Sequence, residues 1–272
     1  MILHKLKRDF GDLAYYVSGD GPLLLGLSGF ACSHYNYIDL LSELQKNFTV
    51  VLIDNRGMGK SDKTTTDYSI KTLAEDALAV IDALGVMNIG VMGISMGGFI
   101  AQELCLLAPH RIKALTLMCT TSGPPHFLHP TKLTEEGLRQ FNLFDPLIQA
   151  QYATMGTVHP SLPQKNPDQF QRIINLRMEH KADIEEIVRQ NRAAVAFLEK
   201  ETDLSKLALS VLAYAGSEDR FITPDSPEVF KQIMTNAQVE TDWVPETDHF
   251  FFLEKPEIVS SRLSLFFKGK IS

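Results

Sequence analysis

A serine hydroxyl becomes a useful nucleophile only where the chain lifts it into the open and sets a base beside it. One stretch of this 272-residue sequence has the residue types for the first condition. Val91-Met92-Gly93-Ile94-Ser95-Met96-Gly97-Gly98 places Ser95 between glycines two positions before and two after it. A strand turning sharply into a helix at that serine would drive side chains at 93 and 97 into neighbouring atoms, which is why glycine is required there. The helix N-terminus would favour a developing oxyanion, with the Met96 N–H as one donor. The alternative is a glycine-rich strand-to-helix turn such as a phosphate cradle, but the lysine of a P-loop and the spacing of a dinucleotide fingerprint are both missing.

The base and the acid that orients it belong on loops after later strands, because parallel strands share one carboxyl edge. Two strand-like runs, 209–215 and 238–244, are followed by Gly216-Ser217-Glu218-Asp219-Arg220 and by Pro245-Glu246-Thr247-Asp248-His249. Asp219 is the candidate acid, with Glu218 as its rival, and His249 is the candidate base. The order serine, aspartate, histidine is the one associated with this turn. A second oxyanion donor is expected from the loop after the first parallel strand, Ser28-Gly29-Phe30, through the Phe30 N–H. Gly29 and His34 are candidate substrate contacts, with an ordinary turn role as the alternative for each. The remaining histidines, His4, His110, His126, His129, His159 and His180, fit the role of base less well and are read as structural.

The elements that must hold these residues follow from the hydrophobic pattern. Residues 2–9 and 12–18 read as a hairpin closed at Gly11, and 23–27 as a buried strand. Ile38 to Leu44 has helical spacing, 48–53 is a second buried strand, and an apolar face from Leu73 to Leu84 predicts a helix that stops at Gly85. Strand 88–92, helix 99–107 and strand 114–119 continue the alternation. Strands 209–215 and 238–244, a helix capped at Ser226 and a last helix from Pro256 to about Lys268 complete it. Single helices between strands imply right-handed crossovers and a mostly parallel sheet covered on both faces. From about 121 to 204 the pieces are helical and divided by prolines, too long for a connection, so this segment is expected to form a lid inserted between core segments 1–120 and 205–272.

Composition narrows the function. The net charge of −7 disfavours nucleic acid and anionic membranes and favours small-molecule or protein partners. Three cysteines, Cys32, Cys105 and Cys119, without Cys-x-x-Cys spacing point to a reducing compartment. No run approaches the roughly 18–20 apolar residues of a membrane span, and the N-terminus lacks a secretion core, so a cytoplasmic location is expected.

Taken together, these residues resemble the α/β-hydrolase fold superfamily. Asp54-Asn55-Arg56-Gly57-Met58-Gly59-Lys60-Ser61 looks like its Asp-x-Arg-Gly-x-Gly-x-Ser stretch, and Gly216-x-x-Asp219-x-x-x-x-Pro224 and His249-x-x-x-x-Glu254-x-Pro256 look like its acid and histidine signatures. The resemblance implies a core with an eight-stranded sheet and makes the insertion the family's cap. It is closest to small capped esterases, including the 3-oxoadipate enol-lactonase and pimeloyl-carrier-protein methyl ester esterase group. Two positions depart from the family pattern. Ser28 stands where histidine is common, and Asp248 stands where glycine is common. Asp248 is expected to face solvent, the alternative being a carboxylate that raises the His249 pKa. Haloalkane dehalogenases and epoxide hydrolases carry aspartate at the position of Ser95, so their chemistry is not expected.

The leading expectation is a serine esterase acting on a small-molecule ester, with no metal or organic cofactor. C–C hydrolysis of ring-fission dienones, enol-lactone hydrolysis, perhydrolase or hydroxynitrile lyase chemistry and a ligand-receptor role are the alternatives. The cations of the insertion, Lys132, Arg139, Lys165, Arg172, Arg177, Lys181, Arg189 and Arg192, either receive an acidic acyl carrier protein or form a solvated face balanced by neighbouring acids.

Overall fold

The computed structural model describes residues 1–125 and 133–271, so His126, His129 and Lys132 lie outside the described residues. Eight strands form one sheet: β1 (Ile2–Arg8), β2 (Gly11–Ser18), β3 (Leu23–Leu27), β4 (Thr49–Ile53), β5 (Ile89–Ile94), β6 (Ile112–Met118), β7 (Ser210–Gly216) and β8 (Gln238–Val244). Their order is β1-β2-β4-β3-β5-β6-β7-β8. The β1–β2 and β2–β4 pairs are antiparallel and the other five are parallel.

The central strands read as unbroken apolar runs because both of their faces are buried. Period-two alternation sends Leu23, Leu25 and Leu27 into one cluster with Val51 and Val91, and Leu24 into the other with Val50, Leu52 and Met92. Helices α2 (Ile70–Ala83) and α3 (Met96–Leu107) contribute Leu73, Ala77, Ile100 and Leu104 to the first cluster. The short α1 (Leu41–Leu44) and α11 (Pro256–Phe267) contribute Leu41, Leu44, Leu263 and Phe267 to the second. Ser69 caps α2 by accepting from the Thr72 N–H, and Gly85 follows its end at φ +68°.

Between β6 and β7 lie five helices and no strand among the described residues: α4 (Glu135–Phe141), α5 (Pro146–Met155), α6 (Leu162–Lys165), α7 (Pro167–Glu179) and α8 (Ile184–Phe197). After β7 come α9 (Ser226–Ile233) and, between β8 and α11, the single turn α10 (Phe251–Glu254).

Three local expectations need correction. Residues 38–44 are not one helix: a 3-10 turn, His34–Tyr37, precedes α1, because the Tyr37 hydroxyl is drawn inward to the Leu27 and Met92 carbonyls. Ser226 is the first helical residue of α9 rather than its cap; Asp225 holds the cap position, and the Ser226 hydroxyl donates to the Thr120 carbonyl. Asp248 does not face solvent. It is fully buried and accepts from the Arg220 N–H, the Arg220 guanidinium and the His249 N–H.

Candidate active site

The site is built where β5 meets α3. Ser95 sits at φ 53°, ψ −119°, a conformation that costs a non-glycine residue on the order of 1–3 kcal/mol and persists only where its surroundings impose it. Those surroundings can be named. The Ser95 N–H donates to the Met118 carbonyl at 2.8 Å, and the Ser95 carbonyl accepts from the Gly98 N–H at 2.8 Å and from the Thr120 hydroxyl at 2.7 Å. A Cβ on Gly93 would stand 2.6 Å from the Gly97 carbonyl oxygen, and one on Gly97 only 2.0 Å from that of Leu27. The turn therefore closes only with glycine at both positions.

The loop after β8 brings His249 to the serine. His249 Nε2 lies 3.0 Å from Ser95 Oγ, and His249 Nδ1 lies 2.9 Å from Asp219 Oδ2. Asp219 Oδ1 accepts from the N–H groups of Phe221 and Ile222 at 2.8 and 2.9 Å, which fixes the carboxylate at the end of the β7 loop. A carboxylate can only accept, so His249 carries its proton on Nδ1 and presents a bare Nε2 to the serine. Glu218, the rival acid, points elsewhere: it is more than half exposed and meets His159 Nε2 at 3.1 Å.

The β3 loop lies against the same serine. The space a Cβ would take on Gly29 is 3.3 Å from Ser95 Cβ, and the Phe30 N–H has no partner among the described residues. Asn36 aligns this loop by accepting the Gly29 N–H on Oδ1 at 3.0 Å, a role that the sequence reading missed. The signal was a lone amide inside the apolar turn His34-Tyr35-Asn36-Tyr37. Ser28 is buried, and its hydroxyl donates to the Ser33 carbonyl at 2.8 Å, bracing the loop from within.

A cavity of about 610 Å³ opens over Ser95 and His249. Its walls include Gly29, Phe30, Asn36, Leu138, Phe141, Ala153, Ile187 and Phe250, so both the β3 loop and the inserted helices contribute. His34 is not among its lining residues. Its Nδ1 and backbone N–H both bond Asp54 Oδ1, at 2.9 and 2.8 Å, and its ring packs on Tyr16, so the expected substrate contact gives way to a structural one. Asp54 also accepts the Lys60 N–H at 2.9 Å, which explains the acid of the Asp-x-Arg-Gly-x-Gly-x-Ser stretch as a brace for its own loop. A smaller hollow of about 320 Å³, lined by Pro22, Leu23, Thr49, Met87 and Ile271, contains none of these groups. Among the described residues, no three His, Cys, Asp or Glu side chains gather as a metal site, and no helix is long and apolar enough to cross a membrane.

Residues 22–256 match the profile of the α/β hydrolase fold. The chain belongs to the α/β-hydrolase fold family. Among its relatives is the putative carbamate hydrolase RutD of Pseudomonas savastanoi, 34% identical over 109 residues, which are 39% of this chain and 42% of that protein. The match thus spans about two fifths of that relative's length. A thermophilic esterase from Thermogutta terrifontis superposes with a TM-score of 0.83 at 20% identity, covering 100% of both chains. The enol-lactonase of Burkholderia xenovorans gives 0.80 at 18% identity, covering 94% of this chain and 96% of its own. As an α/β-hydrolase, the chain shares its overall fold with these two structures.

Proposed function

We propose that the protein is a serine hydrolase that cleaves carboxylic esters of small to medium acyl groups through Ser95, His249 and Asp219. The observation that carries the reading is the unbroken hydrogen-bond chain from Ser95 Oγ through the imidazole to the buried Asp219 carboxylate. His249 Nε2 takes the serine proton as Oγ attacks the ester carbonyl. The negative charge that develops on the carbonyl oxygen falls to the N–H groups of Phe30 and Met96, the first unpartnered and the second at the first turn of α3. Nε2 returns the proton to the departing alcohol. Water then deprotonated at the same nitrogen cleaves the acyl-enzyme and frees the acid. A cavity of about 610 Å³ with largely apolar walls supports an acyl group of modest length.

The test is steady-state hydrolysis of p-nitrophenyl esters from acetate to laurate, with Ser95→Ala as control. Turnover should fall by about four orders of magnitude or more in the variant. Equal residual rates in both proteins would sink the reading. A second reading, carbamate hydrolysis, is supported by the name borne by several of the curated relatives. A carbamate presents the same carbonyl to the same serine, so a p-nitrophenyl carbamate belongs in the panel, and its kcat/KM relative to the acetate decides between the two.

A further inference from the structure

We infer that the substrate of this site carries a carboxylate, received within the cavity by Arg177 and assisted by Lys181. This rests on the esterase reading for the bond that is cut, but the binding claim stands on separate observations. The protein has 33 acidic and 26 basic side chains, yet among the described residues no aspartate or glutamate lines the cavity, whereas Arg177 and Lys181 both do. Lys181 is exposed, but Arg177 is half-buried, and a cation set in largely apolar walls is costly unless an anion accompanies it.

The other described cations named for the insertion are neutralised where they stand. Arg139 pairs with Glu185, Arg172 with Asp39, Lys165 with Glu246 at 3.2 Å, Arg189 with Glu186 at 2.6 Å and Arg192 with Glu135 at 2.6 Å. Arg177 has no carboxylate partner among the described residues. One of its terminal nitrogens donates to the Thr157 hydroxyl at 2.9 Å, while its Nε is buried and finds no hydrogen-bond partner among those residues. Its guanidinium carbon lies 4.4 Å from the centre of the Phe250 ring, and that ring is 6.2 Å from the imidazole of His249. The guanidinium is thus held in place, two contacts from the base, with donors left over. Its planar fork is the shape that pairs with a carboxylate through two hydrogen bonds. The chemical class that fits is an ester with a carboxylate a short spacer away from the scissile carbonyl, such as the half-ester of a short dicarboxylic acid.

Two measurements test this. Monomethyl adipate and methyl hexanoate present the same ester on chains of equal length, one anionic and one neutral. The wild-type protein should favour the anionic ester by about 10-fold or more in kcat/KM, expressed mainly in KM. That ratio should collapse in Arg177→Gln, shrink in Lys181→Gln and be partly retained in Arg177→Lys. A role confined to propping Phe250 would lower both rates together and leave the ratio intact, which would overturn the proposal.

The second measurement needs neither turnover nor a variant. Adipate should raise the melting temperature of the wild-type protein, and neutral adipamide at the same concentration should not. Equal shifts, or none with adipate, would refute the carboxylate site. If the proteins hydrolyse no ester but adipate still stabilises, the esterase reading falls and the carboxylate site stands.

Discussion

Ser95 adopts a backbone conformation that serine avoids, and the glycines around it show how the chain enforces this. Gly97 presses against the Leu27 carbonyl, where a Cβ would come within 2.0 Å of backbone oxygen at the end of β3. Main chain within a sheet cannot swing aside as a flexible side chain would. Gly97→Ala should therefore cost about 3 kcal/mol or more and reduce turnover with it. Gly85 is the instructive contrast: its φ of +68° is left-handed, whereas Gly97 is a helical residue of α3, and nothing lies within 4 Å of the carbon added at Gly85. Gly85→Ala should cost only the conformational term, about 1–2 kcal/mol, and leave turnover unchanged. Urea unfolding of the two variants checks the difference; a loss at Gly97 no larger than that at Gly85 would show that the close approach to the Leu27 carbonyl does not fix the elbow.

At the scale of elements, the loop carrying His249 is set by its neighbours. The Glu254 carboxylate in α10 accepts the Asp248 N–H at 2.8 Å and, across to the inserted segment, the His159 N–H at 3.0 Å. Burial pushes the Glu254 carboxyl up to about 7, outweighing those two donors, which favour its charged form. The folded protein then holds this proton more tightly than the unfolded chain, whose carboxyl titrates near 4.5. The stability it contributes is complete below about 4.5 and is lost as pH rises to about 7, by at most about 3 kcal/mol. Glu254→Gln should flatten the decline in unfolding free energy between about pH 5 and 7; parallel curves for both proteins would refute the assignment. The sequence showed Glu254 only as part of a spacing. All eight strands and the positions of Ser95, Asp219 and His249 could be read in advance because buried strands and glycine-flanked turns leave local, periodic marks. Asp248 could not, because its partner Arg220 lies 28 residues away in another loop. Arg177 was visible only as one cation among eight, since nothing in the pattern says which face of α7 meets the cavity.

At the scale of the whole molecule, the question is what holds the helices between β6 and β7 against the rest of the chain. Ion pairs are conspicuous: Arg172–Asp39, Lys63–Asp183 and Arg192–Asp67 all join the insertion to the core. Both partners are exposed in the Lys63 and Arg192 pairs and Arg172 is exposed in the third, and exposed pairs contribute about 0–1 kcal/mol and are screened by salt. The apolar attachments are buried. Val158, Leu162, Ile173 and Leu176 share a cluster with Phe250, Phe251 and Phe252, and Phe197 of α8 stacks on Phe99 of α3 with ring centroids 4.6 Å apart. Burial of large side chains outweighs exposed ion pairs severalfold, since removing one such ring costs about 3–5 kcal/mol. About 1 M potassium chloride, which shortens the screening length to about 3 Å, should therefore leave the insertion docked, with no increase in protease cleavage within 121–204. Phe197→Ala should loosen the same segment at low salt, because it removes the packing that joins α8 to α3 rather than a charge. Cleavage that rises with salt and is indifferent to the Phe197 substitution would mean that the ion pairs carry the attachment after all.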